Sequence, residues 1–215
     1  MTDLKHPTPT NEERHHLPHF QSLNDSNIIL ICSIEDCYAV EAELKQAFIF
    51  GFDTESKPTF NKGEISTGPH LIQLATLEKA YLFQVSPAIL TFLQPILNNP
   101  KQLKVGFGLK NDVHLFRKKV IEIQNTIDLS KCFSTFGLTN TVGIKTAIAL
   151  LFEQNFIKNK KISTSNWGKK NLNAQQIAYA AADAYAALVV FRALFQRQLF
   201  SAQMSKQIPT FHSVV

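Results

Sequence analysis

The pattern of apolar and polar residues in the N-terminal part of the chain predicts a strand, a helix and a second strand. The apolar run Ile28 to Cys32 predicts the first strand, and Ser33 is a typical N-cap for a helix that continues to about Gln46. Residues 47–52 are apolar at nearly every position, as expected of a strand covered on both faces. We predict that this buried strand ends at Asp53-Thr54-Glu55.

The later part of the chain predicts a hairpin followed by alternating helices and strands. Residues 70–75 and 80–85 are strand-like segments with a short gap between them, which predicts an antiparallel hairpin. The further elements are predicted as a helix over 87–97, a strand over 102–107, a helix from about 111, a short strand at 127–129 and helices over 141–152 and 173–200. This order predicts an α/β ribonuclease H-like fold, with a mixed central sheet flanked by helices.

We expect one domain, residues 26–200, to hold all of these elements. A chain of 215 residues, 45% of them hydrophobic, is long enough for one domain with a substantial core. Residues 1–25 have no periodic apolar pattern and predict a flexible N-terminal tail, in which His15, His16 and His19 are expected to be solvated rather than metal-bound. Residues 201–215 predict a second, C-terminal tail.

The composition favours an anionic partner inside the cell. A net charge of +5 and a pI near 9.1 favour nucleic acid, although the excess is small for a dedicated nucleic-acid-binding protein. Only four of the 22 basic residues are arginines, so contact with the phosphate backbone is expected rather than recognition of base edges. Three cysteines, no signal peptide and no apolar run of membrane-spanning length predict a cytoplasmic protein without a membrane partner.

The first candidate site residues are Asp53 and Glu55. Side chains alternate along a strand, so two acids that are two residues apart project from the same face and can share one cation. A lone Asp-x-Glu is also typical of solvated loop carboxylates. The apolar strand before the two acids favours the metal site. Charges at the end of a buried apolar strand require a partner, and a divalent ion suits two carboxylates.

Asp112 is the third candidate, at the start of the helix predicted from about residue 111. In isolation it is more typical of a helix cap, which bonds the free amides of the first turn. Gly106 and Gly108 precede it and allow a ligand to approach the backbone at a turn from strand to helix.

Tyr179 and Asp183 are four residues apart on the long predicted helix, so they face the same way, one turn apart. The surrounding alanines would let this helix lie close to a sheet. A core tyrosine and an exposed aspartate are an equally typical interpretation of the pair alone. Taken together, four carboxylates can hold two divalent ions for displacement at phosphorus, and a tyrosine is better suited to orient water than to remove its proton.

Three segments carry a resemblance to a known family. They are Phe-Asp-Thr-Glu at 52–55, Lys-Val-Gly-Phe-Gly-Leu-Lys-Asn-Asp at 104–112 and Tyr-Ala-Ala-Ala-Asp-Ala at 179–184. These segments resemble the exonuclease motifs of the DEDD superfamily, in the tyrosine subclass that includes ribonuclease D and the Werner syndrome exonuclease domain.

The resemblance implies a 3′ to 5′ exonuclease that uses two Mg²⁺ or Mn²⁺ ions and releases nucleoside 5′-monophosphates from DNA or RNA. It implies that Asp53, Glu55 and Asp183 hold one ion, that Asp53 and Asp112 hold the other, and that Tyr179 positions the water. Two further functions remain open: a nucleic-acid-binding adaptor with little turnover, and an endonuclease on the same fold. The sequence indicates no particular protein partner and no choice between DNA and RNA.

Three residues are candidates for substrate binding. Lys57 and Lys110 lie close in sequence to the acids and are placed to contact phosphate, although Lys57 is equally compatible with an orientation towards solvent. Trp167 lies in a lysine-rich stretch and would stack on a base, or else would pack in the core beside a solvated basic loop.

Overall fold

The computed structural model of the chain describes residues 8–59, 63–65, 67–118, 121–206 and 208. Within these residues the strands are β1 Ile28–Ile31, β2 Ile49–Glu55, β3 Leu71–Ala75, β4 Ala80–Gln84, β5 Leu103–Gly106 and β6 Thr126–Asp128. The helices are α1 Asn11–His15, α2 Ile34–Gln46, α3 Pro87–Leu97, α4 Lys110–Lys118, α5 Ile144–Phe152, α6 Lys160–Ser163, α7 Ala174–Gln196 and α8 Ala202–Ser205, with short 3-10 turns at Asp25–Asn27, Leu129–Lys131 and Ser134–Phe136.

The strands form one mixed sheet in the order β1-β4-β3-β2-β5-β6. Strand β3 runs antiparallel to both β2 and β4, and the other neighbouring pairs are parallel. The predicted hairpin is therefore confirmed as β3 and β4. The predicted α/β class, with helices on both faces of a mixed sheet, is confirmed as well, and β2 lies near the centre of the sheet.

Side chains of β2 alternate between two different layers of the protein. Phe50 and Phe52 point into an apolar cluster with α2, α3 and α4, where both rings are almost fully buried. Gly51 faces α7 instead, and by the same alternation Asp53 and Glu55 project towards that side. The even-numbered residues Phe50 and Phe52 of β2 therefore pack in this apolar cluster, and the odd-numbered residues face α7.

Helix α7 lies directly on β2 because both elements present small residues at the contact. A Cβ atom added to Gly51 would stand 1.9 Å from the carbonyl oxygen of Ala184, so only glycine fits there. Ala180, Ala181 and Ala184 are fully buried on the facing side of the helix. By length and composition α7 would suffice to cross a membrane, but 67% of its apolar window is buried inside the protein, as in a core helix.

The predicted elements are present, with bounds that differ by a few residues. Strand β2 begins at Ile49 and ends at Glu55, so the acids lie at the end of the strand as predicted. The long helix ends at Gln196 rather than at residue 200. Helices α1 and α6 were not predicted. They have only five and four residues. N-cap side chains mark where they begin, but they have no apolar periodicity from which the sequence could predict them.

The prediction of a flexible N-terminal tail is wrong for its described part. Helix α1 has a capping box between Thr10 and Glu13, and His19 forms a β-bridge with Asn155. The ring of Phe20 lies 5.6 Å from that of Phe156 and also contacts two other aromatic rings. A single aromatic anchor has no period, so the sequence pattern did not predict these contacts. Residues 1–7 lie outside the described residues.

The predicted C-terminal tail is also packed where it is described. Helix α8 begins after Ser201, and Met204 and Ile208 pack against the apolar cluster around α5 and α7. Isolated apolar residues again make the contact. The predicted tail over residues 209–215 lies outside the described residues.

Candidate active site

A cleft of about 450 Å³ opens where the end of β2 meets α7. Asp53 and Glu55 line it from the strand, and Tyr179 and Asp183 line it from the helix. The structure therefore brings together four of the five residues predicted to carry the chemistry. Gly51 contacts Ala184 of α7, and Asp183, which directly precedes Ala184, lines the cleft beside the strand acids.

Electrostatic repulsion and burial act on all of the acids in this cleft. Burial, then the charges of Asp183 and Asp112, raises the pKa of Asp53 well above its ordinary value. Burial, followed by the charge of Asp53, raises the pKa of Glu55 to about 9. Burial also raises the pKa of Asp183, although Lys158 opposes the shift. In the absence of further cations, the cleft holds more carboxylate charge than its surroundings stabilise.

Asp112 lies at the margin of the site and is not among the residues that line the cleft. It is in the first turn of α4, and its Oδ1 accepts a hydrogen bond from the hydroxyl of Thr54. Thr54 lies between the two strand acids and projects from the opposite face of β2. Burial raises the pKa of Asp112, and its charge acts on Asp53. The structure thus couples Asp112 to the cleft through β2 without placing it inside.

Lys158 is a site residue that the sequence pattern placed only in the lysine-rich stretch around Trp167, without a link to the acids. Its Nζ lies 2.8 Å from Oδ2 of Asp183 and 5.4 Å from the centre of the Tyr179 ring. Among the described residues, no group of three or more His, Cys, Asp or Glu side chains is arranged to hold a metal ion. The ammonium group stands where a cation would neutralise Asp183. Lys158 is far from Asp183 in sequence, so no local spacing signals the contact.

Gln73 is a second residue that sequence reasoning missed. It lies directly opposite Asp53 in the antiparallel pair of β2 and β3, and its side chain is fully buried. Neither polar atom of its amide has a hydrogen-bond partner among the described residues, and the same holds for Oδ1 of Asp183. Buried polar atoms are nearly always satisfied, often by ordered water or an ion. The two oxygens of this set, Oε1 of Gln73 and Oδ1 of Asp183, are hard ligands that fit a divalent cation such as Mg²⁺ or Mn²⁺, whereas the amide nitrogen of Gln73 is not a ligand.

The predicted stacking role of Trp167 is wrong. Its side chain is only 1% exposed, its Nε1 donates to the carbonyl oxygen of Ser163 at 3.1 Å, and its ring packs against that of Tyr179 at 6.1 Å. Trp167 therefore supports the position of Tyr179 from inside the core. Phe107, in the turn between β5 and α4, lines the cleft, as the aromatic residues Phe52 and Tyr179 also do.

The two predicted phosphate contacts, Lys57 and Lys110, both lie outside the residues that line the cleft. Lys57 is exposed, and its Nζ is 4.0 Å from Oε1 of Glu64. Lys110 is exposed at the start of α4 and lines a neighbouring groove. Lys110 is thus placed beside a second open surface of the protein.

Fold and site together define a ribonuclease H-like protein with an acidic cleft at the end of a central strand. The chain belongs to the 3′-5′ exonuclease domain family, which it matches over residues 29–198.

Individual relatives agree with this assignment. The chain is 30% identical over 167 residues to the mouse (Mus musculus) bifunctional 3′-5′ exonuclease/ATP-dependent helicase WRN, a match that covers 72% of this chain and 11% of that protein. The solved Nibbler EXO domain of Aedes aegypti superposes with a TM-score of 0.71 at 22% identity, covering 89% of this chain and all of that one. The RNase D of Trypanosoma brucei in complex with RNA U12 superposes with a TM-score of 0.68 at 17% identity, covering 78% of this chain and 62% of that one. The chain spans 11–60% of the length of curated relatives that it matches.

Proposed function

We propose that this chain removes nucleotides one at a time from the 3′ end of single-stranded or 3′-overhanging nucleic acid by metal-dependent hydrolysis. The observation that carries the proposal is the convergence of Asp53, Glu55, Asp183 and Tyr179 on one cleft, in a chain of the 3′-5′ exonuclease family. The products would be nucleoside 5′-monophosphates. The volume of about 450 Å³ lies in the usual range of small-ligand sites, roughly 300–1,000 Å³.

Two divalent ions, Mg²⁺ or Mn²⁺, belong to this proposal. Asp53, Glu55 and Asp183 would hold one ion, and Asp53 with Asp112 would hold the other. Bound there, such ions lower the pKa of a water molecule and stabilise the departing 3′ oxygen. The raised pKa values of these carboxyl groups support the assignment, because clustered acids without a compensating cation favour the protonated form.

Tyr179 would orient the attacking water through its hydroxyl group. Burial, together with the charge of Asp183, raises its pKa above the ordinary value of a phenol, so the hydroxyl keeps its proton at neutral pH. It can donate a hydrogen bond but cannot act as the base. The packed ring of Trp167 holds it in place.

Phe107 and Ile144 would receive the terminal nucleotide. Both line the same cleft as the acids and offer an apolar surface to a base. Stacking on an aromatic ring is tolerant of sequence, as a 3′ exonuclease requires. The proposal covers both DNA and RNA: the relative of known structure bound to RNA U12 is an RNase D, whereas mouse WRN is named only as an exonuclease and helicase.

One observation favours a second candidate function, a nucleic-acid-binding adaptor with little turnover. Lys158 lies against Asp183, and the described acids are not arranged as a ready metal site. A protein that kept this ion pair permanently would bind a strand without cutting it. Measurement of turnover separates the two functions.

The test is degradation of a 5′-labelled single strand, as DNA and as RNA of the same sequence, with Mg²⁺, Mn²⁺ or EDTA. We expect a ladder that shortens from the 3′ end with either metal, no cleavage in EDTA and no cleavage by Asp53→Asn. Circular single-stranded DNA should stay intact, because an exonuclease requires an end. A folded protein that binds the strand with metal present and leaves it uncut would support the adaptor instead.

We also propose a cytoplasmic location. Cys37 and Cys132 are buried free thiols and Cys32 is an exposed one, which is typical of proteins in a reducing compartment. Microscopy of the tagged full chain in its native cell tests this proposal, and recovery in an oxidising compartment would contradict it.

A further inference from the structure

A groove of about 720 Å³ lies next to the carboxylate cleft and is continuous with it. Phe107, Ile144, Lys145 and Lys158 line both. From this shared wall the groove continues between the start of α4, the end of β6 and the start of α5. A strand with its 3′ end at the carboxylates would leave the cleft over these residues.

Basic side chains dominate this groove. Its basic residues are Arg14, Lys110, Lys131, Lys145 and Lys158, and Asp128 is the only acid among the described residues that line it. The described lining of the groove thus has five basic residues and one acidic one, whereas the whole chain has 22 basic and 17 acidic residues. A positive charge that is weak when averaged over the chain is therefore concentrated on one surface.

The single acid is already engaged by the protein. Oδ1 of Asp128 accepts hydrogen bonds from the amides of Gly108 and Ser130 and from the hydroxyl of Ser130, at 2.7 to 3.1 Å. Its Oδ2 lies 3.9 Å from Nζ of Lys131. Donors on both sides reduce the repulsion that this carboxylate would exert on a phosphate.

One wall of the groove comes from outside the matched family domain. Arg14 lies in α1, before the matched residues 29–198. Its Nη1 donates to Oγ1 of Thr146 in α5 at 3.0 Å and to the carbonyl oxygen of Pro9 at 3.1 Å. Phe20 and the bridge of His19 with Asn155 fix the segment further along. The N-terminal segment thus adds one cation to the groove and extends the basic surface that the matched domain provides.

The start of α5 adds a favourable dipole to the same surface. The helix has nine residues, and its N-cap residue, Gly143, makes no side-chain cap. Free amides at a helix N-terminus attract phosphate. This contribution supports the lysines and is not a site by itself.

We propose that this groove binds the sugar-phosphate backbone of the strand whose 3′ end enters the carboxylate cleft, several phosphates upstream of the scissile bond. The inference rests on the proposed function for the direction of the strand. Lysine contacts phosphate as a point charge, so the groove holds single strands regardless of base sequence. It makes affinity depend on strand length, because only longer strands reach beyond the cleft.

The test measures binding in EDTA, where no turnover occurs, by fluorescence anisotropy of labelled single strands of 3 and 12 nucleotides. The groove variant is Lys110→Gln with Lys131→Gln, two exposed residues that line only the groove. The matched control is Lys45→Gln with Lys101→Gln, which removes the same charge from exposed positions outside it. Arg14→Gln tests the N-terminal wall separately.

We expect the groove variant to bind the 12-nucleotide strand about tenfold more weakly and to leave the 3-nucleotide strand unaffected. The slope of log affinity against log salt should fall by about 1.4, since each phosphate contact on a single strand contributes about 0.7. Arg14→Gln should cause a smaller loss in the same direction, and the control should bind as the wild type does.

Three results would overturn the inference: an equal loss in groove and control variants, an equal loss for both strand lengths, or no loss at all. If the proposed function is wrong, strands stay uncut with Mg²⁺ or Mn²⁺, whatever affinity the protein has for them in EDTA. This result differs from the three results above. A groove variant that binds normally while the wild type degrades strands would refute the groove alone.

Discussion

Lys158 and Asp183 form the most consequential pair of side chains in the protein. Asp183 is 3% exposed, and an ammonium group 2.8 Å from its Oδ2 stabilises its charge. A divalent ion at the same carboxylate would compete with that ammonium group. The pair therefore links two measurable properties, the stability of the metal-free protein and its affinity for the ion.

We expect Lys158→Met to act on these properties in opposite directions. Metal-free stability should fall, because Asp183 loses the partner of a buried ion pair. The affinity for Mn²⁺ should rise by about tenfold, or about 1.4 kcal/mol, because a competing positive charge is gone. Thermal unfolding in EDTA and electron paramagnetic resonance of Mn²⁺ without nucleic acid measure the two effects.

Lys161→Met is the matched control, since Lys161 is exposed and does not line the cleft. It should leave stability and Mn²⁺ affinity unchanged. A Lys158→Met protein with weaker Mn²⁺ binding would mean that the lysine helps to hold the ion, contrary to our expectation.

At the scale of elements, the contact between β2 and α7 positions the site. The carbonyl oxygen of Ala184 occupies the space that any side chain at position 51 would need. Backbone cannot move aside as the end of a flexible side chain can. The distance between strand and helix, and with it the separation of Asp53 and Asp183, depends on a glycine that carries no chemistry itself.

Gly51→Ala should therefore separate the helix from the strand. We expect a loss of about 1–3 kcal/mol in the free energy of unfolding, as in other overpacked cores, and a large loss of nuclease activity. Gly143→Ala is the control for stability alone, because nothing lies within 4 Å of a Cβ atom there and its φ of −82° is negative, whereas its activity is not compared since Gly143 lines the groove. Denaturant unfolding and the strand-degradation assay measure both changes. Equal stability of the two variants would contradict this account of the contact.

Phe20 packs the N-terminal segment against the aromatic rings of the domain. We expect Phe20→Ala to lower the free energy of unfolding by about 1–3 kcal/mol, because a half-buried ring with three aromatic neighbours is lost. Limited proteolysis should then cut the chain before residue 20 more quickly. Phe48→Ala removes a ring that is 51% exposed and should change little. Unchanged proteolysis of the Phe20 variant would show that other contacts hold the segment.

These elements also show where the sequence pattern was informative. Long elements with a clear period were predicted within a few residues, and Asp53 with Glu55 and Tyr179 with Asp183 were recognised because each pair has a local spacing. Lys158 and Gln73 join the site only through contacts between distant segments, which no spacing records. Trp167 was misplaced because an aromatic residue among lysines is equally typical of a groove and of a core edge.

The whole molecule carries its charge unevenly, with acids gathered in the cleft and cations in the adjoining groove. This separation has a consequence for stability. The folded state keeps Glu55 protonated up to a pKa of about 9, whereas the usual value is 4.5. Between these values the folded state holds a proton that the unfolded state has released, so stability falls as pH rises.

We accordingly expect the melting temperature in EDTA to decrease between pH 5 and pH 9. The decrease should be at least about 3 °C, since each kcal/mol corresponds to about 2–4 °C in a chain of this size. Glu55→Gln should make the dependence shallower, because the substituted group does not titrate. Saturating Mg²⁺ should do the same by stabilising the ionised carboxylates. A melting temperature that rises with pH in EDTA would show that these acids are ionised without penalty.

Alternation along β2 limits which changes of chain length the protein can tolerate. Phe50 and Phe52 face the apolar layer while Asp53 and Glu55 face the cleft. Insertion or deletion of one residue within Ile49–Glu55 would exchange the two faces, turning rings into the cleft and carboxylates into the core. Added residues between β2 and β3 leave both faces unchanged. Homologous chains can therefore differ in length at this connection, while the strand itself can change only by substitution.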